Sequence, residues 1–319
     1  MHNQMNVGVS GKYKLLVRNA DLSVKQETDW FDNIVTAVGL NALLSGTTPT
    51  EQQLSGVAGA GNTTPSLSDT ALASYLGPCG SVQSVTISRN TTNAPYSVTK
   101  TITLRSAQGG VVGNVAEVGV ALGTGAGSSS PLISRSLVVD SMGAQTTVPV
   151  QASEYLDMVW SFTIYMGQAT GSFNMTIDGV VTAFNYTILP ANMTSASANG
   201  GWLQNDDFPL RMFANVFPYA SAGATSAFNS SALGAVTSQP TGTQSTGSPT
   251  LTAGAYTPGS YARSHTLKFA LNDANFNIGA FLFGLNACAA QMSITPSVAK
   301  TNTKEFSITF NISVANYTP

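Results

Sequence analysis

The chain has 319 residues, a mass of 33.0 kDa and a net charge of −2, with only 9% charged residues against 43% hydrophobic. Soluble domains usually carry roughly 25% charge, so long solvated helices laced with Glu and Lys are excluded as the main architecture. With no Lys/Arg run and a pI of about 5.6, the electrostatic footprint of a nucleic-acid or anionic-membrane partner is missing as well.

Ser, Thr, Asn, Ala and Gly take the place of charge. Thr, Val and aromatic residues suit pleated strands, so the composition predicts a mainly β protein with a neutral polar surface. Such a surface is a solubility risk for a free monomer and less of one for a subunit of an assembly. At roughly 100–200 residues per domain, the length predicts two domains.

In chain order, Lys12 to Arg18 reads as a strand, "NADLS" as a turn, and Val24 to Glu27 as a hairpin partner. "DNIVTAVGLNALLSG" carries the one good helical signal, a short helix near residues 33–45. Asp32 or Asn33 caps its start, Ile34, Val35, Val38, Leu40 and Leu43 form its stripe, and Gly46 closes it. Residues 47–75 read as loop, with a helical turn near Asp69. From Val82 the pattern alternates with period two. "SVQSVTISR" and "YSVTKTITLRS" flank the turn "NTTNAP", with Val98, Ile102 and Leu104 inward. "VAEVGVALG", "LISRSLVVD" and "YLDMVWSFTIYM" follow; in the last, Leu156, Met158, Trp160, Phe162 and Ile164 share one face. After Met166 a hairpin is predicted around Asp178-Gly179. "GGWLQNDDFPLRMFANVFPY" is ambiguous, and residues 221–260 read as a long loop or as loop and strand mixed. Strand signals return in "SHTLKFALND", "GAFLFGL", "AQMSITPS" and "EFSITFNISV".

The two halves echo each other. Tyr96 opens "YSVTKTITLRS" and Tyr261 opens "YARSHTLKFAL", and the interval to Gly119 in "EVGVAL" equals that to Gly284 in "LFGLNA". The expectation is two antiparallel β-sandwich-like domains: 1–166 with the short helix, and 167–319 as a diverged repeat or as a chance likeness between two β patterns.

Chemical candidates are few. "GTGAGSSSP" looks like a phosphate cradle, but "PLISRSLVVD" after it reads as a strand and no Lys-Ser/Thr pair follows. It is read as a hairpin connection. Of the two histidines, His2 sits near the terminus and His265 in an alternating strand. No G-x-S-x-G elbow is present. Asp206-Asp207 reads as a cation or carboxylate-pair candidate, or as a solvated turn. Asp29 and Asp32 read as helix caps. Trp30, Trp160 and Trp202 are possible sugar platforms, with Trp160 fitting a core strand better. Cys79 and Cys288 form no disulfide framework or zinc spacing. No signal-peptide run or 18-residue apolar stretch is visible. No catalytic, cofactor-binding or metal residue is assigned.

"TDWFDNIVTAVGLNALLSG", "TPSLSDTALASYLG" and "AEVGVALGTGAGSSSPLISRSLVVD…TTVPVQASEYLDMVWSFTIY" resemble segments of tailed-bacteriophage virion structural proteins. So do "FNYTILPAN", "GAVTSQPTG", "LNDANFNIGAFLFG" and "PSVAKTNTKEFSITFNISVA" further on. The resemblance implies a non-enzymatic virion subunit of a tail, neck or fibre, made in the host cytoplasm. Its expected partners are copies of itself and other virion proteins. The alternatives are a capsid decoration protein, or a host-surface glycan receptor-binding module using Trp202, Tyr219 or Tyr256. A glycan-cleaving enzyme ranks last.

Overall fold

Period-two alternation sets the architecture, because each strand that alternates must bury one face. A computed structural model describes residues 3–45, 54–123, 126–194, 225–245, 249–285 and 288–318. The first part of the chain forms β1 (Asn3–Arg18), β2 (Val24–Glu27), β3 (Phe31–Asp32), β4 (Ile34–Val35), α1 (Ala37–Ser45), β5 (Leu54–Gly59), β6 (Tyr75–Asn90), β7 (Tyr96–Ser106), β8 (Gly113–Val115), β9 (Glu117–Leu122), β10 (Leu132–Leu137), β11 (Val148–Val150) and β12 (Tyr155–Met166). The remainder forms β13 (Ala169–Ile177), β14 (Val180–Ala191), β15 (Ser226–Phe228), β16 (Thr250–Ala253), β17 (Ala262–Phe269), β18 (Asn277–Leu285), β19 (Cys288–Ala299) and β20 (Phe306–Asn316). The mainly β fold expected from composition is what the chain adopts, in large and chiefly antiparallel sheets.

The main sheet runs β16-β17-β20-β1-β12-β7-β6-β5-β9-β10-β4, with β2 and β3 also on β1. A smaller sheet runs β13-β14-β19-β18-β15. The main sheet does not stop at the expected boundary between residues 166 and 167. β1 pairs antiparallel with β12 over Val7–Arg18 and parallel with β20 over Asn3–Val9. One long strand therefore serves both halves of the chain.

Two face-to-face packings bury the core. Around β1 and β12, Tyr13 lies opposite Trp160 and Leu15 opposite Met158, all buried. The far end of the same sheet folds back over them: the Tyr13 and Ser134 hydroxyls, on β1 and β10, hydrogen-bond at 2.5 Å. β6 makes the corner. Its start, Tyr75 to Cys79, pairs with β5, and its remainder pairs with β7, with register shifts at Cys79/Ser81 and Val82/Ser84. Bulges are how a strand changes sheets. In the other packing, β18 of the small sheet meets β17 and β20: Phe281 lies 5.9 Å from Phe269 and 5.7 Å from Phe306, and Phe283 lies 4.3 Å from Phe310.

Three expectations are corrected. The helix begins at Ala37, because Ile34 and Val35 pair with β10. Its cap is Thr36, whose hydroxyl accepts from the Gly39 amide at 3.3 Å; Asp32 instead lies in β3 and pairs with Lys12. Within residues 47–75 the structure has the buried strand β5 and no helical turn near Asp69. The Asp178-Gly179 hairpin is present as expected, with both residues at positive φ.

Candidate functional site

The densest chemistry is a buried ionic cluster. Glu117 on β9 and Arg135 on β10 sit diagonally across one hairpin, opposite Leu137 and Gly119 respectively, with side-chain exposures of 0% and 2%. Glu117 Oε2 accepts from Arg135 Nε at 3.0 Å and Nη2 at 2.7 Å. Its Oε1 accepts backbone N–H groups of Gly61 at 3.0 Å and Ser74 at 2.8 Å, and Oε2 accepts that of Ala73 at 3.2 Å. Arg135 also reaches Asp69 at 2.6 Å and both the carbonyl and hydroxyl of Thr63. Burial pulls the guanidinium down, but the Asp69 and Glu117 hydrogen bonds outweigh it and hold Arg135 above its ordinary range. The cluster clamps loop 60–74 onto the hairpin. Every group in it is spent on a neighbour, so its role is to hold the loop.

A second ionic group follows the same logic on β12. Asp157, with no side-chain exposure, accepts from Arg18 Nε at 2.5 Å on one side. On the other it accepts from Arg105 Nε at 2.5 Å and Nη2 at 2.8 Å. Burial alone would raise the carboxyl; Arg105 and Arg18 reverse this and hold it below the usual carboxylate range. Nearby Cys79 is a buried thiol pushed up to about 12, by burial first and then by Asp157. Neither Asp157 nor Glu117 stood out in the sequence, although a charge inside a nearly continuous apolar strand in so uncharged a chain is a signal for a buried pair.

The residues singled out by sequence do not converge. The Gly loop joins β9 to β10, a strand and not a helix. Among its described residues the backbone is engaged: Ser55 Oγ donates to the Gly123 carbonyl, Tyr75 Oη donates to that of Ala126, and the Ser130 hydroxyl accepts from the Gly127 amide. His265 is buried in β17, stacked on Phe310 at 5.5 Å. Trp160 is a core residue beside Phe162, as its strand predicted. Trp30 is exposed. The Tyr256 hydroxyl donates to Asn41 Oδ1 at 2.5 Å, which ties the loop after β16 to α1. Asp29 is exposed and forms no part of the α1 cap. His2, Trp202, Asp206, Asp207 and Tyr219 lie outside the described residues, as does the side chain of Cys288. Among the described residues no three His, Cys, Asp or Glu side chains are grouped to hold a metal, and no helix is long and apolar enough to cross a membrane.

What remains is surface. Beyond the corner, residues 80–90 of β6 pair with β7 on one side and with no strand on the other among the described residues. Gly80 to Ser84 are exposed, and Arg89 is the segment's one charge. β13 is likewise terminal in its sheet and carries no charge at all. At its hairpin tip Val180 and Val181 stand 64% and 66% exposed. Two surface cavities flank this hairpin. One of about 350 Å³ is lined by Met175, Ile177, Val298 and Phe306 together with Lys300, Lys304 and Glu305. The other, of about 370 Å³, is lined only by neutral residues at the junction of β1 with β13 and β14.

Comparison with protein-family models, with characterised proteins and with solved structures gives no match.

Proposed function

We propose that this chain is a non-enzymatic structural subunit of a bacteriophage virion, assembling with copies of itself in a tail, neck or fibre. The long free edge of β6, on which Arg89 is the one charge, carries the reading. Proteins that stay monomeric blunt a free edge with charge, Pro, bulges or a covering element, and residues 84–88, between the last bulge and Arg89, carry none of these among the described residues. Such an edge is a template for strand pairing with a neighbouring subunit. The resemblance lends support from another direction. The segments "SDTALASYLG", "AEVGVAL" and "LISRSL" meet in the cluster of Asp69, Ala73, Glu117 and Arg135, so what looked like scattered motifs is one structural device.

The test is the mass of the purified chain by light scattering, for the wild type and for a Thr86→Lys/Ser88→Lys variant; both positions are exposed on the edge. A discrete multimer that falls to a monomer in the variant, with unchanged melting, supports the proposal. A wild-type chain that is monomeric at all concentrations overturns self-assembly through this edge, and capture by emptied phage heads would then favour the capsid-decoration alternative.

A further inference from the structure

We infer that the cavity between β1 and the β13–β14 hairpin is a binding site for a neutral carbohydrate. Its walls are Gln4 and Asn6 from β1, Gly167 to Thr170 from the link into β13, and Tyr186 from β14. No charged residue lines it, which removes the groups that would recognise an anion, a nucleotide or a cation. Amides, a hydroxyl and one aromatic ring in a cavity of this size are the groups that orient a hydroxylated ring.

The polar groups are prearranged. Gln4 Nε2 donates to Asn6 Oδ1 at 2.9 Å and to Ser313 Oγ at 3.2 Å, and the Ser313 hydroxyl donates to Asn6 Oδ1 at 2.7 Å. This triad uses both N–H groups of the Gln4 amide and both lone pairs of the Asn6 carbonyl. It leaves Gln4 Oε1 as an acceptor and Asn6 Nδ2 as a donor, side by side on one strand. An acceptor beside a donor is the complement of two neighbouring sugar hydroxyls, each of which donates and accepts.

The ring is fixed as well. Tyr186 Oη accepts from the Gln4 backbone amide at 3.3 Å, and Phe173 lies 6.3 Å from the ring. Gly171 lies flat beneath it: a Cβ there would come within 2.7 Å of Tyr186 Cε1 and Oη. The absence of a side chain at Gly171 thus lets the ring stand where it meets the cavity. A peptide strand is recognised through backbone edges, whereas the side chains that line this cavity are amides, a hydroxyl and an aromatic ring. The inference does not depend on the assembly reading, because all of these residues belong to one chain.

The experiment is saturation-transfer NMR on the full chain with neutral hexoses and N-acetylhexosamines and with sialylated and sulfated sugars. Signal from at least one neutral sugar is expected. Asn6→Asp keeps an acceptor for Gln4 and Ser313 but removes the donors, and is expected to weaken binding at least tenfold with unchanged melting. Gly171→Ala, which displaces the ring, also weakens binding, while Val181→Lys at the hairpin tip binds like the wild type. Silence from every neutral sugar, signal from charged sugars alone, or an Asn6→Asp variant that binds as well as the wild type would overturn the inference.

Discussion

Removing either partner of the Glu117–Arg135 pair destabilises the fold, and the two removals are unequal. Breaking a buried pair from one side costs about 3–5 kcal/mol, because the partner's charge stays buried. In Arg135→Met, Glu117 keeps three backbone donors, from Gly61, Ala73 and Ser74. Asp69, whose side chain is 19% exposed, turns to water. That variant belongs at the low end, about 3 kcal/mol. In Glu117→Leu the guanidinium keeps only Asp69 and Thr63, and the buried Gly61 amide loses its acceptor, while those of Ala73 and Ser74, on exposed residues, turn to water. A buried orphaned amide adds about 1 kcal/mol or more, so the loss exceeds that of Arg135→Met by about 1 kcal/mol or more. Urea unfolding followed by tryptophan fluorescence measures both, since Trp160 is buried and reports on the same core. Equal losses, or a larger loss for Arg135→Met, would refute the argument that Glu117 is the organising acceptor.

Three further outcomes follow from other sites. Asp157 titrates below its unfolded value, so its contribution is complete above that value, about pH 3.9, and drains away as pH falls through the folded one. Melting curves between pH 7 and pH 3 should therefore steepen on the acid side, and Asp157→Asn should be less stable at pH 7 with a shallower acid limb; an unaltered limb would show that Arg18 and Arg105 gain nothing from the charge. Cys79, buried and pushed up to about 12, should resist maleimide at pH 8 until the chain unfolds, read by the mass of its peptide; rapid labelling in native buffer would contradict the burial. At Gly77 a Cβ would lie 2.0 Å from the Gly110 carbonyl, whereas at Gly56 the nearest atom, at 2.1 Å, is the mobile end of Met158. Gly77→Ala should thus cost more than Gly56→Ala, by about 1–3 kcal/mol as an overpacked site, and the reverse order in thermal melts would count against the backbone contact.

The strands that were legible are those with one face wet. β7 and β12 alternate along their length, and Val98, Ile102, Leu104 and the Leu156-to-Ile164 face are buried as the period implied. β5 was not legible, because "LSGVAG" is buried on both faces and built from small residues, with Gly56 packed against Met158 and Cys79. A strand without alternation and with two glycines reads as loop. The helix start was misplaced for a related reason: Ile34 and Val35 fit a helical stripe, yet their β-branched side chains fit the β10 edge equally well. The parallel pairing of Asn3–Val9 with Phe310–Asn316 joins the two ends of the chain, and no local pattern reports a contact of that span. The proposed sugar cavity shares this difficulty, since Gln4, Thr170 and Tyr186 are brought together only by the β1–β12 pairing and the β13–β14 hairpin.

The sheet order matches the internal echo only in part: the strands around β1 correspond, but Gly119 lies in β9 of the main sheet and Gly284 in β18 of the small one. Outward from β1 run β12, β7 and β6 on one side and β20, β17 and β16 on the other. β7 starts at Tyr96 and β17 follows Tyr261, and β12 and β20 are the alternating strands that end the two echoing segments. β12 is antiparallel to β1 and β20 is parallel to it, so β12 and β20 oppose each other. Opposed directions and reversed order are what a two-fold axis normal to the sheet would produce, with β1 on the axis and therefore shared. The two sides differ at their outer ends. β16 stops after Thr250–Ala253, while β6 runs from Tyr75 to Asn90 because it must turn the corner into the second layer. β5 follows it only as far as Cys79. The exposed edge at residues 80–90 is thus the geometric consequence of folding one end of the sheet back over Tyr13 and Trp160. The same step that completes the core around β1 leaves the strand on which self-assembly is proposed.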